Sequence, residues 1–236
     1  AWLLWLVTAM VAVLCFREYG AIAAAYGLGH PGPAGYAAGL LVLLLPRADA
    51  LMITLICLLA LALVAGSGDL SAALPRAGGF LLGVIYIFGP WRSALALHAA
   101  APRWLFLVLA VNWLGDTAAY YAGRAWGRHK MAPKLSPAKT WEGCAASLAA
   151  SVTFGYLFLA WAMPDLNLAL RIGIPVAANV AGQAGDLAES VLKRGAGVKD
   201  SGRSLPGHGG WLDRVDGTLF ALPVVHLILV AVGRAG

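Results

Sequence analysis

Charge is what this sequence has least of. Asp, Glu, Lys and Arg together make up 12% of the residues, against 61% hydrophobic. A soluble globular domain carries roughly 25% charged residues, so this chain has about half the usual share. With a mean hydropathy of +0.78, the one class that fits comfortably is a multi-spanning membrane protein. Cysteine is scarce too. Cys15, Cys57 and Cys144 are isolated in apolar runs with no CxxC spacing, which argues against a disulfide framework or a thiolate metal site and makes them small core residues. GxxxxGK[ST] does not occur, and the one GxGxxG match, GLGHPG at 27–32, sits in a Gly/Pro-rich break after a long apolar run rather than between a strand and a helix, so neither a P-loop nor a Rossmann domain is supported. No basic region precedes the first apolar run, so no cleavable signal peptide is expected; the start at Ala1, inside that run, predicts that the natural start lies upstream. There is no internal repeat, low-complexity tract or second domain.

What fills the chain instead is apolar runs, and a spanning helix needs about 20 such residues. The runs are Trp2 to about Phe16, continuing towards Tyr26; Tyr36–Leu45; Leu51–Ala65; Phe80–Leu97, interrupted by Pro90 and Arg92; Trp104–Tyr121; Gly143–Met163; Leu166–Leu192; and Thr218–Val232. They predict an all-α polytopic membrane protein of about eight transmembrane helices, forming one integral membrane domain over residues 1–236. Most of the Trp residues read as an interfacial belt, and His30, His98 and His226 as interface or core residues. Of the 17 Lys and Arg, Arg124, Arg128, Lys130, Lys134 and Lys139 fall between the fifth and sixth runs. Lys193, Arg194, Lys199, Arg203 and Arg214 fall between the seventh and eighth. Two spans separate these loops, so both lie on one side, and the positive-inside tendency makes that side cytoplasmic. Counting back, the Gly/Pro-rich break at 27–35 is cytoplasmic, and the turn at 46–50 and the C-terminus are outside.

The acidic residues ask for a reason. Asn112, Asp116 and Tyr120 recur at i, i+4 and i+8, and Gln183, Asp186, Glu189 and Lys193 form a second stripe. Asp213 and Asp216 sit one turn apart if the last helix reaches back to them. A carboxylate at the bilayer centre costs on the order of 2.5–3.5 kcal/mol on insertion scales, and intramembrane ionisable groups default to a functional site. Clustered carboxylates without His or Cys suit a hard cation, above all Mg²⁺. Beside them lies the densest polar stretch of the chain, SVLKRGAGVKDSGRSLPGHGGWLDRVD (190–216), with five Lys/Arg, three Asp and one His. Gly207, Gly209 and Gly210 surround His208, and glycine lets backbone N–H groups approach an anion. A second basic loop, KLSPAKTWEG (134–143), brings Ser136, Lys139 and Thr140 to a predicted helix start, itself a phosphate-binding feature. Carboxylates, a metal and basic phosphate clamps are the parts of phosphoryl or nucleotidyl transfer. Plainer readings stand beside this one. Asp213–Arg214 is a structural pair, Asp116 bonds across helices, His208 caps a turn, Glu189 pairs with Lys193, and the basic loops only set topology.

The 190–216 stretch closely resembles the signature of the phosphatidate cytidylyltransferases, the CDP-diglyceride synthetases or CDP-diacylglycerol synthases. The resemblance is carried by Ser190, Lys193, Arg194, Lys199, Asp200, Pro206, His208, Gly209, Gly210, Asp213, Arg214 and Asp216. It extends through GDTAAYYAG, KLSPAKTWEG and GQAGDLAES, covering residues 104–236 strongly and the first hundred only in hydrophobic character; the family has one further apolar segment upstream. It implies transfer of the cytidylyl group of CTP to phosphatidic acid, giving CDP-diacylglycerol and diphosphate. A lipid phosphate oxygen attacks the CTP α-phosphorus in line, and no protein nucleophile is needed. It implies Mg²⁺, with a monovalent cation such as K⁺ as a possible second, a homodimer, no nucleic acid partner, and a bacterial inner membrane with the site facing the cytoplasm. Asp186 and Asp216 are then the first metal ligands, with Asp213 and Asp116 after them. Asp186, Asp213, Asp216, Lys193 and Lys199 form the catalytic set. Arg194, Arg203, His208, Gly209, Gly210 and Arg214 bind phosphate, helped by Ser136, Lys139 and Thr140. The site is predicted to have Ser190–Asp216 as one wall, and Asp116, Lys134–Thr140 and Gln183–Glu189 as the others. Competing readings are a CTP-dependent polyprenol or phytol kinase, a CDP-archaeol synthase, and, in another class, a cation transporter.

Overall fold

The computed structural model describes residues 2–45, 50–65, 69–207 and 209–235. The predicted 46–50 turn falls almost entirely outside the described residues, and so does His208. Among the described residues the chain forms eight helices: α1 (Trp2–Ala25), α2 (Gly32–Leu44), α3 (Ala50–Ala65), α4 (Ala73–Ala100), α5 (Pro102–Trp126), α6 (Trp141–Ala162), α7 (Leu168–Gly195) and α8 (Leu212–Ala231). The all-α polytopic expectation holds. Five helices, α1, α4, α5, α6 and α8, are long and apolar enough to cross a membrane by length and composition. At 13 and 16 residues, α2 and α3 measure only about 20 and 24 Å, short of a hydrocarbon core of about 30 Å. The 28 residues of α7 are long enough but polar, ending in Asp186, Glu189, Lys193 and Arg194.

The chain divides into two compact units, residues 1–92 with 192–214, and residues 93–191 with 215–236. In the first unit an aromatic core forms around Phe16, whose ring meets Tyr36 edge-on at 5.0 Å and Phe88 at 5.2 Å. Gly39 admits the Phe88 ring where any Cβ would overlap it. Arg92 closes the end of α2 by donating to the carbonyls of Val42 (3.1 Å) and Leu45 (2.5 Å), groups a helix terminus leaves without partners.

In the second unit, α5 and α6 are joined by a feature read from the sequence only as a loop. β1 (Lys130–Ala132) and β2 (Ser136–Thr140) pair antiparallel, with Lys130 opposite Thr140 and Ala132 opposite Ser136. Leu135 N–H donates to Ala132 O to close the turn that contains Pro133. Thr140 then caps α6, its hydroxyl accepting from Gly143 N–H at 3.2 Å. Glu142 in the first turn reaches back to the His129 ring at 2.6 Å. Large apolar side chains such as Phe106, Trp113, Leu157 and Trp161 are exposed, the surface expected where the solvent is lipid.

Candidate functional site

Each unit holds one polar group. In the first unit, α7 stops because Gly197 takes φ +73°. Val198 N–H donates to Lys193 O and Gly197 N–H to Arg194 O, the paired bonds of a left-handed helix terminus. The loop that follows is tied down by two carboxylates. Asp213, in the first turn of α8, accepts from Lys193 Nζ (2.5 Å), Ser201 N–H (2.9 Å) and Gly210 N–H (2.7 Å), with Ser201 Oγ also 2.9 Å away. Its side chain is 6% exposed and that of Lys193 11%, so this is a buried ion pair completed by hydrogen bonds, the condition under which such a pair is tolerated. The second carboxylate was missed in the sequence. Glu18 of α1, buried, accepts from Ser201 Oγ (2.9 Å), Ser204 Oγ (2.8 Å), Trp211 N–H (3.1 Å) and Leu212 N–H (2.9 Å). The signal was an Arg-Glu pair inside an otherwise apolar helix, but nothing in its spacing pointed across more than 180 residues.

With its polar backbone turned inward, the loop presents cations outward. Lys199, Asp200, Arg203, Pro206 and Arg214, with glycines 202, 207 and 209, line a pocket of about 550 Å³. Three cations against one carboxylate make it an anion pocket, and the guanidinium forks suit phosphate oxygens. Lys193 is not among its walls, and Gly210 N–H is spent on Asp213. Arg194, exposed, donates to Val198 O at 3.2 Å.

In the second unit a ladder of buried polar side chains leads along α7. Ser151 Oγ donates to Val111 O (2.9 Å). Asn179 Nδ2 lies 2.8 Å from Ser147 Oγ and 2.9 Å from Ser151 Oγ, and Gln183 Nε2 donates to Asn179 Oδ1 (2.6 Å). One turn on, Asp186 pairs with Lys139 of β2 at 2.6 Å. The backbones of α7 and α8 approach closely because Gly182, Gly185 and Gly217 face the opposing chain, a Cβ on Gly185 falling 2.6 Å from Asp216 O. That packing of small residues sets Asp186 and the buried Glu189 close enough to act on Asp216 by like charge. Asn112 is buried against Gly182, whereas Asp116 and Tyr120, one and two turns along, are exposed. Ser136 is half-buried, and Thr140 is occupied as the α6 cap.

Among the described residues, no three His, Cys, Asp or Glu side chains are placed as a metal's ligand set. The chemistry of the second group nonetheless fits a hard cation. Asp186, Glu189 and Asp216 supply carboxylate oxygens, and Asp186 and Glu189 act on Asp216 by like charge, so a bound cation would relieve that repulsion.

These features define a class: a helical membrane protein with an anion pocket on a loop pinned by buried carboxylates. The chain belongs to the cytidylyltransferase family, whose pattern it matches over residues 1–232. It is 39% identical over 150 residues to a phosphatidate cytidylyltransferase of Staphylococcus haemolyticus. It is 37% identical over the same length to those of Staphylococcus epidermidis and Staphylococcus aureus. Each match covers 64% of this chain but 58% of the relative, so the matched region spans little more than half the length of these proteins.

Proposed function

We propose that this chain transfers the cytidylyl group of CTP to phosphatidic acid, forming CDP-diacylglycerol and diphosphate. The observation that carries the proposal is the pocket of Lys199, Arg203 and Arg214, formed by the stretch that resembles the signature of these enzymes. The phosphatidate phosphate is an anion at neutral pH and serves as its own nucleophile. Its oxygen bonds to the CTP α-phosphorus as the bond to the β-phosphate bridging oxygen breaks. The protein's task is to bring together two polyanions that repel, and cations fixed on a pinned loop do so at little reorganisation cost. In this reading Lys199, Arg203 and Arg214 hold a substrate phosphate, with Arg194, His208, Gly209 and Gly210 beside them in the signature. Lys139, Ser136 and Thr140 serve phosphate from the hairpin.

Asp186 and Asp216 would hold Mg²⁺, with Asp213 and Asp116 as further candidates and K⁺ as a second cation; bound there, the metal neutralises phosphate charge. Asp213 is the weaker of these candidates, because Lys193, Ser201 and Gly210 already engage it. The setting proposed is a homodimer in a bacterial inner membrane, with the basic loops in the cytoplasm where CTP is found.

CTP labelled at the α- or the γ-phosphorus tests the reaction. Label from the α-position should enter lipid and γ-label should leave as diphosphate. Transfer of γ-label to lipid would instead mean a lipid kinase. Asp186→Asn and Asp216→Asn should each lower activity by about 10²-fold or more, the scale for losing electrostatic stabilisation of a transition state, and should raise the Mg²⁺ concentration needed. Full activity with unchanged Mg²⁺ dependence in both variants would refute the metal assignment.

A further inference from the structure

We infer that Glu18 is the positioning residue of the anion pocket: from α1, it fixes Ser201, Ser204, Trp211 and Leu212 so that Lys199, Arg203 and Arg214 face one phosphate. The inference rests on the phosphate role proposed above for that pocket.

The pattern of partners is the basis. Each Glu18 oxygen takes one hydroxyl and one backbone N–H: Oε1 accepts from Ser204 and Trp211, Oε2 from Ser201 and Leu212. These partners alternate along the chain with the pocket lining. Ser201, buried, and Ser204, exposed, bond Glu18; Gly202, Arg203 and Leu205 between and beside them line the pocket; and Trp211 and Leu212 bond Glu18 again before Arg214. Glu18 thus grips the loop between its cationic residues and also grips the start of the helix that carries Arg214. Ser201 is held from both sides, since its hydroxyl also contacts Asp213 at 2.9 Å. Gly210 is required by this grip, because a Cβ there would overlap both the Glu18 carboxylate and the Ser201 hydroxyl. The charge also matters. A carboxylate at a helix N-terminus is favoured by the dipole, and the N–H groups of Trp211 and Leu212, where α8 begins, are committed to Glu18 rather than to substrate phosphate. Binding there falls to the side chains of the pocket.

Glu18→Gln isolates the effect. A serine hydroxyl can rotate to accept from an amide NH₂, but a backbone N–H cannot reverse, so in either amide orientation Trp211 N–H or Leu212 N–H faces another donor. The test uses the full chain in detergent micelles, as wild type, Glu18→Gln, Arg203→Ala and the double variant. Each is measured for its melting temperature, pyrophosphate and CTP binding by titration calorimetry, and KM and kcat for both substrates. Losing a charge-assisted hydrogen bond to the loop should weaken pyrophosphate binding by about tenfold. The KM of the substrate whose phosphate occupies the pocket, CTP or the lipid, should rise by a similar factor, with kcat and the other KM nearly unchanged. In the double variant the two effects should be much less than multiplicative, because they act on one pocket. A lower melting temperature with wild-type binding and KM would overturn the inference, as would independent effects in the double variant. If wild type binds pyrophosphate and Glu18→Gln binds it equally well, positioning alone fails. If wild type binds neither pyrophosphate nor CTP, the pocket's phosphate role fails and takes the inference with it. Should Glu18→Gln not fold, Ser204→Ala removes one donor and should move binding in the same direction by about threefold; no movement there is equally fatal.

Discussion

Asp213 and Glu18 show how much a buried carboxylate can organise when every lone pair is used. Removing the charge of Asp213 takes the carboxylate away from Lys193 in a nearly buried position and replaces one acceptor oxygen by an amide NH₂ beside Lys193, Ser201 and Gly210. Breaking one side of a buried pair costs about 3–5 kcal/mol, so Asp213→Asn should strongly lower the melting temperature in detergent. Lys193→Met should cost less, since Asp213 keeps the backbone N–H groups of Ser201 and Gly210. If Asp213→Asn melts like wild type but loses Mg²⁺ dependence, Asp213 is a ligand rather than a structural anchor. At this scale the sequence was half legible. Residues of the signature were identified by type and spacing, but spacing does not say which way a side chain turns. Lys193 and Gly210 turn inward, while Arg203 and Arg214 face the pocket. Glu18 stayed hidden because its partners lie more than 180 residues away, where no local period reaches.

Among the elements, the long helices were legible because apolar runs of that length have few alternatives in a membrane chain. Their ends were less so: α4 begins at Ala73 rather than Phe80 and runs through Pro90 to Ala100. α8 reaches back to Leu212, which makes both Asp213 and Asp216 helical. The β1–β2 hairpin was not legible, since Pro133 and Pro137 obscure any alternation. Its role is to deliver Lys139 to Asp186 and to end in the cap of α6. Thr140→Ala should cost about 1 kcal/mol, the usual value of an N-cap, and Thr140→Ser should restore most of it; hydrogen exchange in the first turn of α6 reads both. Gly185 is a more severe test. Leucine there would drive into Asp216 O and Phe220, parting α7 from α8. Activity should fall by well over tenfold, in line with the large penalty for a misplaced site. Retained activity would mean that Asp186 and Asp216 need not be neighbours.

For the whole molecule, the open physical question is whether α7 crosses the membrane. The positive-inside reading places the basic hairpin and the signature loop on one face only if both α6 and α7 cross. α6 has the length and composition for it, whereas α7 is outside that set. Yet its charges are unevenly placed. From Leu168 to Gly185 the sole charged residue is Arg171, near the start, donating to Pro164 O. Asn179 and Gln183 are satisfied within the second unit by Ser147, Ser151 and each other, which removes most of the cost of carrying them into hydrocarbon. The polarity of α7 is therefore internal wiring, and the helix should span. With Cys15, Cys57 and Cys144 replaced, single cysteines at Lys134 and Arg203 should both react with a membrane-impermeant maleimide only in inverted vesicles. Labelling from opposite faces would show that α7 does not cross, and would remove the topological reason for placing CTP at the signature loop.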